Sequence, residues 1–137
     1  MTAETRYLPF IGRVLIAVIY LISGFGKLTA PVGTAAYIAS AGLPLPYVGV
    51  IIAILVELGG GILLVLGYQT RIVAAIMALF TLATAFAFHN NLADMNTFIN
   101  FFKNITMTGG LLQVVAFGAG SLSLDALRHR KSGVATA

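Results

Sequence analysis

Hydrophobic residues in this chain run in long unbroken blocks, with polar residues gathered between them. Four blocks approach the roughly 20 residues a helix needs to cross a bilayer. They cover about 8–28, 47–67, 70–89 and 97–120. The tight Gly67-Tyr68-Gln69-Thr70 turn separates the second from the third, and Asn96 is placed to cap the fourth. Between the first two lies Thr29–Pro46, with Pro31, Gly42, Pro44 and Pro46. Its middle, Gly33–Ala41, is expected to form a short helix at the membrane surface, bounded by the prolines. Met1–Tyr7 is polar and the first apolar run is of spanning length, which does not read as a cleaved signal peptide. The predicted fold is all-α: an integral membrane four-helix bundle, one domain over 1–137, with an interfacial helix after the first span and a basic cytoplasmic tail at 121–137.

Composition supports that class. The chain is 59% hydrophobic and 9% charged, against roughly 25% charged in soluble domains. So little polar surface cannot coat a soluble globule. With no cysteine, disulfides, thiolate metal sites and cysteine nucleophiles are excluded. Two histidines set far apart leave no room for a zinc centre. The net charge of +4 is scattered through apolar sequence, not gathered in a patch fit for nucleic acid. With both termini in the cytoplasm, Arg6, Arg13, Arg71, Arg128, Arg130 and Lys131 lie on or near the inner side. Lys27 and Lys103 lie toward the outer side, and this excess of inner positive charge sets the expected orientation.

Polar residues within the blocks mark the interior. Ionisable groups in a spanning helix cost about 2.5–3.5 kcal/mol each on insertion scales, so they face the bundle. Glu57 sits near the centre of the second span and needs a partner. Ala53, Glu57 and Gly61 share a face, flanked by Gly60, and small residues there admit a close neighbour. On the first span Arg13, Ala17, Tyr20, Gly24 and Lys27 fall on one stripe. On the third Arg71, Ala74, Ala78, Ala85 and His89 line up, and on the fourth Lys103, Thr106, Gly110 and Gln113. Depth arithmetic offers Glu57 two partners, Arg13 from the inner side and Lys103 from the other.

Two or three cations (Arg13, Lys103, Lys27) against one anion would favour an anionic or carbonyl-bearing ligand. A pocket is expected among Lys27, Glu57, His89, Lys103 and Asn104, with Glu57 as its floor. The plainer alternatives are a register-fixing Glu57–Arg13 pair and snorkelling lysines, Lys27 above all. His89 would then be an interfacial residue. Gly59-Gly60-Gly61 and Gly109-Gly110 read as packing devices, and Arg128-His129-Arg130-Lys131 as an anchor on an anionic leaflet.

The order and spacing of these residues resemble the DoxX family of small four-helix membrane proteins. The resemblance runs from Arg13 and Ser23-Gly24-Phe25-Gly26-Lys27 through Glu57-Leu58-Gly59-Gly60-Gly61, Gly67, Thr70-Arg71 and Phe88-His89. It continues with Phe102-Lys103-Asn104, Gly109-Gly110-Leu111-Leu112, Gly118-Ala119-Gly120 and Ser123-Leu124-Asp125. Ala119 departs from the proline often found there, which touches only the local turn. The branch it most resembles is a bacterial inner-membrane one named for oxidoreductase or quinol oxidase subunits. That implies a quinone-interacting or scaffolding subunit of a membrane oxidoreductase system, with no intrinsic cofactor and a quinone as ligand. The alternatives are a carrier or binding protein for a small hydrophobic or anionic solute, with Glu57 coupling to protons, and a structural anchor recruiting soluble redox enzymes. Expected partners are the bilayer, soluble or membrane redox enzymes and a second copy of the chain; the sequence names neither catalytic residues nor substrate.

Overall fold

The computed structural model describes residues 2–134, which are 83% helical and contain no strand. Helix α1 spans Ala3–Thr29 and α2 spans Pro31–Ser40. The second span is built from α3 (Pro46–Ile54), a π-helical turn (Leu55–Gly59) and α4 (Gly60–Leu66). Helices α5 (Thr70–Phe88), α6 (Met95–Phe117) and α7 (Leu124–Val134) follow. Three segments are long and apolar enough to cross a membrane: Thr5–Thr29, Pro46–Leu66 and Thr70–Phe88. Helix α6 matches them in length at 23 residues but is diluted by Asn96, Asn100, Lys103, Asn104 and Gln113.

Helix boundaries follow local chemistry. Proline opens α2 and α3, where its missing N–H costs no hydrogen bond. Gly67 at φ +67° ends α4, and Gly118 at φ +79° ends α6. The cap of α6 is Asp94 and not Asn96: its Oδ2 accepts from the Thr97 amide at 2.9 Å and the Thr97 hydroxyl at 2.8 Å. That is the reach of a capping side chain to the third helical residue, and Asn96 already lies inside the helix.

The core is made of small and medium residues from every span: Ala17, Tyr20, Leu64, Ala74, Met77, Ala78, Leu111 and Val114. Leu, Ile and Phe side chains cover the outside, as lipid contact demands. Within the spans, close approach is concentrated at three glycines. A Cβ on Gly24 would lie 2.8 Å from Leu58, on Gly60 2.9 Å from Met77, and on Gly61 2.8 Å from Leu21. Gly110 is less tight, with Ile16 at 3.4 Å, and Gly59 and Gly109 face open space, so the expected packing role fails at those two.

The expected interior face of the fourth span is also corrected. Thr106 and Gln113 point outward and Lys103 is exposed at the cavity rim, while Asn104, Met107, Thr108, Leu111 and Val114 face the bundle. Helix α6 packs chiefly on α5, with little against α1. Its buried face is therefore set by one neighbour and not by the polar stripe.

Candidate functional site

At the end of the bundle remote from the chain termini, α1, the second span, α5 and α6 splay around a cavity that α2 roofs. Ala35 and Ile38 of α2 pack on Val50, and Tyr37 stacks on Phe88 with ring centroids 5.3 Å apart. The cavity holds about 360 Å³, within the range of ligand sites. Its lining includes Tyr20, Lys27, Glu57, His89, Lys103 and Asn104, together with Phe80, Thr81, Thr84 and Met107. Five helical segments thus bring together all the residues predicted for a pocket, and Arg13 is the one candidate placed elsewhere.

Glu57 lies in the π-helical turn, a local widening that recurs at functional sites. Its partner is Lys27, whose Nζ stands 2.9 Å and 3.1 Å from the two carboxylate oxygens. Neither Arg13 nor Lys103 reaches it. The reason is stagger. Gly24 packs directly on Glu57, its would-be Cβ 3.0 Å from the glutamate Cβ. Arg13 lies eleven residues earlier, about 16 Å down the axis at roughly 1.5 Å per residue. Side chains also lean toward the helix N-terminus, which carries Lys27 back over Ser23 to Glu57 and carries Arg13 away. That lean is readable from the sequence, but the stagger that sets Lys27 beside Glu57 is not.

Arg13 is 1% exposed and does structural work at the opposite end. Its guanidinium donates to the Leu64 carbonyl at 2.6 Å, to Val65 at 2.9 Å and to Leu122 at 2.5 Å. It thereby satisfies carbonyls at the end of α4, where a cation also suits the helix dipole, and ties in the segment after α6. Gly67 completes this joint, since a Cβ there would collide with Ser123 and lie 2.7 Å from Arg13 Nη1.

Hydrogen-bond bookkeeping then separates occupied donors from free ones. Lys27 spends its protons on Glu57 and on the Ser23 hydroxyl at 2.6 Å. Thr81 donates to the Met77 carbonyl, so the Tyr20 hydroxyl, 2.5 Å from Thr81 Oγ1, is the donor of that pair and has no proton left for a ligand. Lys103 makes one bond, to Asn100 at 3.0 Å, and retains two protons at the cavity mouth. Asn104 reaches Thr81 and Thr84 only at 3.5 Å and 3.4 Å. His89 caps α5 with its backbone, and its ring is half-buried beside Lys103. The cavity therefore has a closed, neutral ionic floor, aromatic walls, and donors available at its rim from Lys103 and His89, with the long Asn104 bonds beside them. Among the described residues no His, Asp or Glu cluster has metal-binding geometry.

The same order of residues that assembles this cavity places the chain among known proteins. The DoxX family matches residues 8–90, covering α1 through α5. The chain belongs to the DoxX family. It is similar to inner membrane protein YqjF of Escherichia coli strain K12, with 39% identity over 124 residues, 88% of this chain and 92% of that protein. It is likewise similar to inner membrane protein YphA of the same strain, with 38% identity over 129 residues, 90% of this chain and 91% of that protein. No solved structure matches. A DoxX protein with three helices of membrane length and a lipid-like exterior is a membrane protein.

Proposed function

We propose that this DoxX protein is a quinone-interacting subunit of a membrane oxidoreductase system, held in the inner membrane with both termini in the cytoplasm. The observation that carries the reading is the cavity's division of labour. Aromatic and apolar walls (Phe80, Phe88, Met107) suit a planar ring, and the donors left free at the rim (Lys103, His89), with the loosely held Asn104 amide beside them, suit its carbonyl oxygens. The neutral Lys27–Glu57 floor argues against a ligand chosen for net negative charge. Ile19 and Ile52, half-exposed on the outer surface, also line the cavity and open a path to lipid for an apolar tail. Electrons would enter and leave through a partner enzyme, and the residues of this chain bind and orient the ring.

Binding of a short-chain quinone analogue to the purified protein in nanodiscs tests this. Wild type is expected to bind saturably and Lys103→Met at least threefold more weakly, with Arg130→Met unchanged. Equal affinity for all three, or no saturable binding, removes the quinone site. Orientation is tested by reporter fusions at residue 137 and in the turn at Ala93–Asp94, which should report opposite sides.

A second reading rests on Glu57, a carboxylate in a π-helical turn at the cavity floor. It makes the protein a carrier for a small hydrophobic solute, and solute flux that requires both a proton gradient and Glu57 would favour it over the quinone site.

A further inference from the structure

The terminal end of the bundle holds a second, larger cleft that the proposed function does not use. It lies between the start of α5, the turn after α6 and the helix α7, and encloses about 620 Å³. Its polar wall carries Arg71 and Arg128 with His129, and its apolar wall carries Ile72 and Phe117, which are 61% and 78% exposed on the surface that meets lipid.

Both arginines are held in place by neighbouring groups. Gly118, at φ +79°, leaves room for the Arg71 side chain to lie across it, since a Cβ there would come within 3.3 Å of Nε. The Arg128 guanidinium sits over the Tyr68 ring, 5.2 Å from its centroid. Among the described residues neither arginine has a carboxylate within salt-bridge distance; the Lys27–Glu57 salt bridge lies at the other end of the bundle. The acid beside them, Asp125, has its two oxygens on the Gln69 amide at 2.8 Å and the Thr70 amide at 2.9 Å, and sets one negative charge against the two arginines. The cleft thus keeps a positive excess on one wall and an apolar surface continuous with the lipid-facing exterior on the other.

We infer that this cleft binds the phosphate group of an anionic phospholipid, with Arg71 and Arg128 on the phosphate and an acyl chain along Ile72 and Phe117. A cationic pocket at a helix end fits a lipid phosphate through charge-assisted hydrogen bonds. The apolar wall distinguishes a lipid from a free anion, which would gain nothing from it. The neighbouring Arg130 and Lys131 belong to the same basic run but do not line the cleft, so they separate a defined site from general attraction to an anionic surface.

The test uses the full chain in neutral detergent with fluorescent phosphatidylglycerol as probe. Wild type is expected to bind it saturably, about one per chain. Arg71→Gln and Arg128→Gln should each weaken binding about fivefold, and the double variant about 25-fold. Arg130→Gln with Lys131→Gln should leave it within twofold of wild type. Unlabelled phosphatidylglycerol should displace the probe while phosphatidylcholine and inorganic phosphate do not. Equal loss from the Arg130/Lys131 variant, or no saturable binding, would overturn the site. Displacement by millimolar inorganic phosphate would assign the cleft to a free anion and overturn the lipid. Competition on the wild type decides the matter even if an arginine variant fails to fold.

Discussion

Removing one member of the Lys27–Glu57 pair should reveal an asymmetry that follows from burial. The glutamate side chain is 9% exposed and the lysine 27%. Removing one partner of a buried ion pair costs about 3–5 kcal/mol when the survivor stays desolvated. Lys27→Met meets that condition, because Glu57 sits inside the π-helical turn and Lys27 is its hydrogen-bond partner. A loss of about 3–5 kcal/mol is expected. Glu57→Gln does not meet it. The lysine keeps the Ser23 hydroxyl at 2.6 Å, the new amide oxygen still accepts, and the flexible stem can swing toward the headgroups. Its cost should be about 1–2 kcal/mol, that of a charged hydrogen bond replaced by a neutral one. The double variant should cost less than Lys27→Met alone, with a coupling energy of about 1–3 kcal/mol. The assay is equilibrium unfolding in mixed micelles titrated with denaturing detergent at one neutral pH. Equal costs for the two single variants, or strict additivity in the double, would refute the reasoning and place the pair in solvent.

Three further outcomes follow from the terminal end and the glycines. Gly67→Ala should destabilise by about 2–4 kcal/mol in thermal unfolding, combining a left-handed alanine of about 1–2 kcal/mol with crowding of Ser123 and Arg13. Asp125→Ala should cost about 0.5–2 kcal/mol, because the carboxylate closes the start of α5. Burial pushes the Asp125 carboxyl up, but hydrogen bonds from Thr70 and Gln69 and the charge of Arg128 outweigh it and hold it below 3.8. Its contribution should therefore be complete above about pH 4 and fade as pH falls through the lowered value, so that melting temperatures of wild type and Asp125→Ala converge in acid. Gly24→Ala should destabilise by crowding Leu58 and Glu57, whereas Gly109→Ala, in open helical surface, should stabilise by about 0.5–1 kcal/mol. Matching melting shifts for these two would mean that the helix contact at Gly24 is wrong.

Hydrophobic block length and composition alone determined the class of this protein, the number of long helices and the surface helix between the first two. These are properties of single segments against a bilayer, so no tertiary information is needed. The polar faces of α1 and the second span were legible for the same reason, since each buries its polar and small side against two or more neighbours; on α5 Ala74, Ala78 and Ala85 are buried as expected, but Arg71 is exposed and lies over Gly118. Helix α6 was not, because it leans on one neighbour, and the side turned to α5 is the Asn104–Leu111 side and not the Thr106–Gln113 side. Only the tertiary structure decided the pairing of Glu57. Sequence gives depth along each helix, but the stagger between helices depends on where Gly24 lets the second span approach, and that places Lys27 within reach and Arg13 far below. The cleft of Arg71 and Arg128 was likewise out of reach of sequence. Its walls come from three segments that meet only because Asp125 clasps the start of α5 and Arg13 gathers the carbonyls of Leu64, Val65 and Leu122.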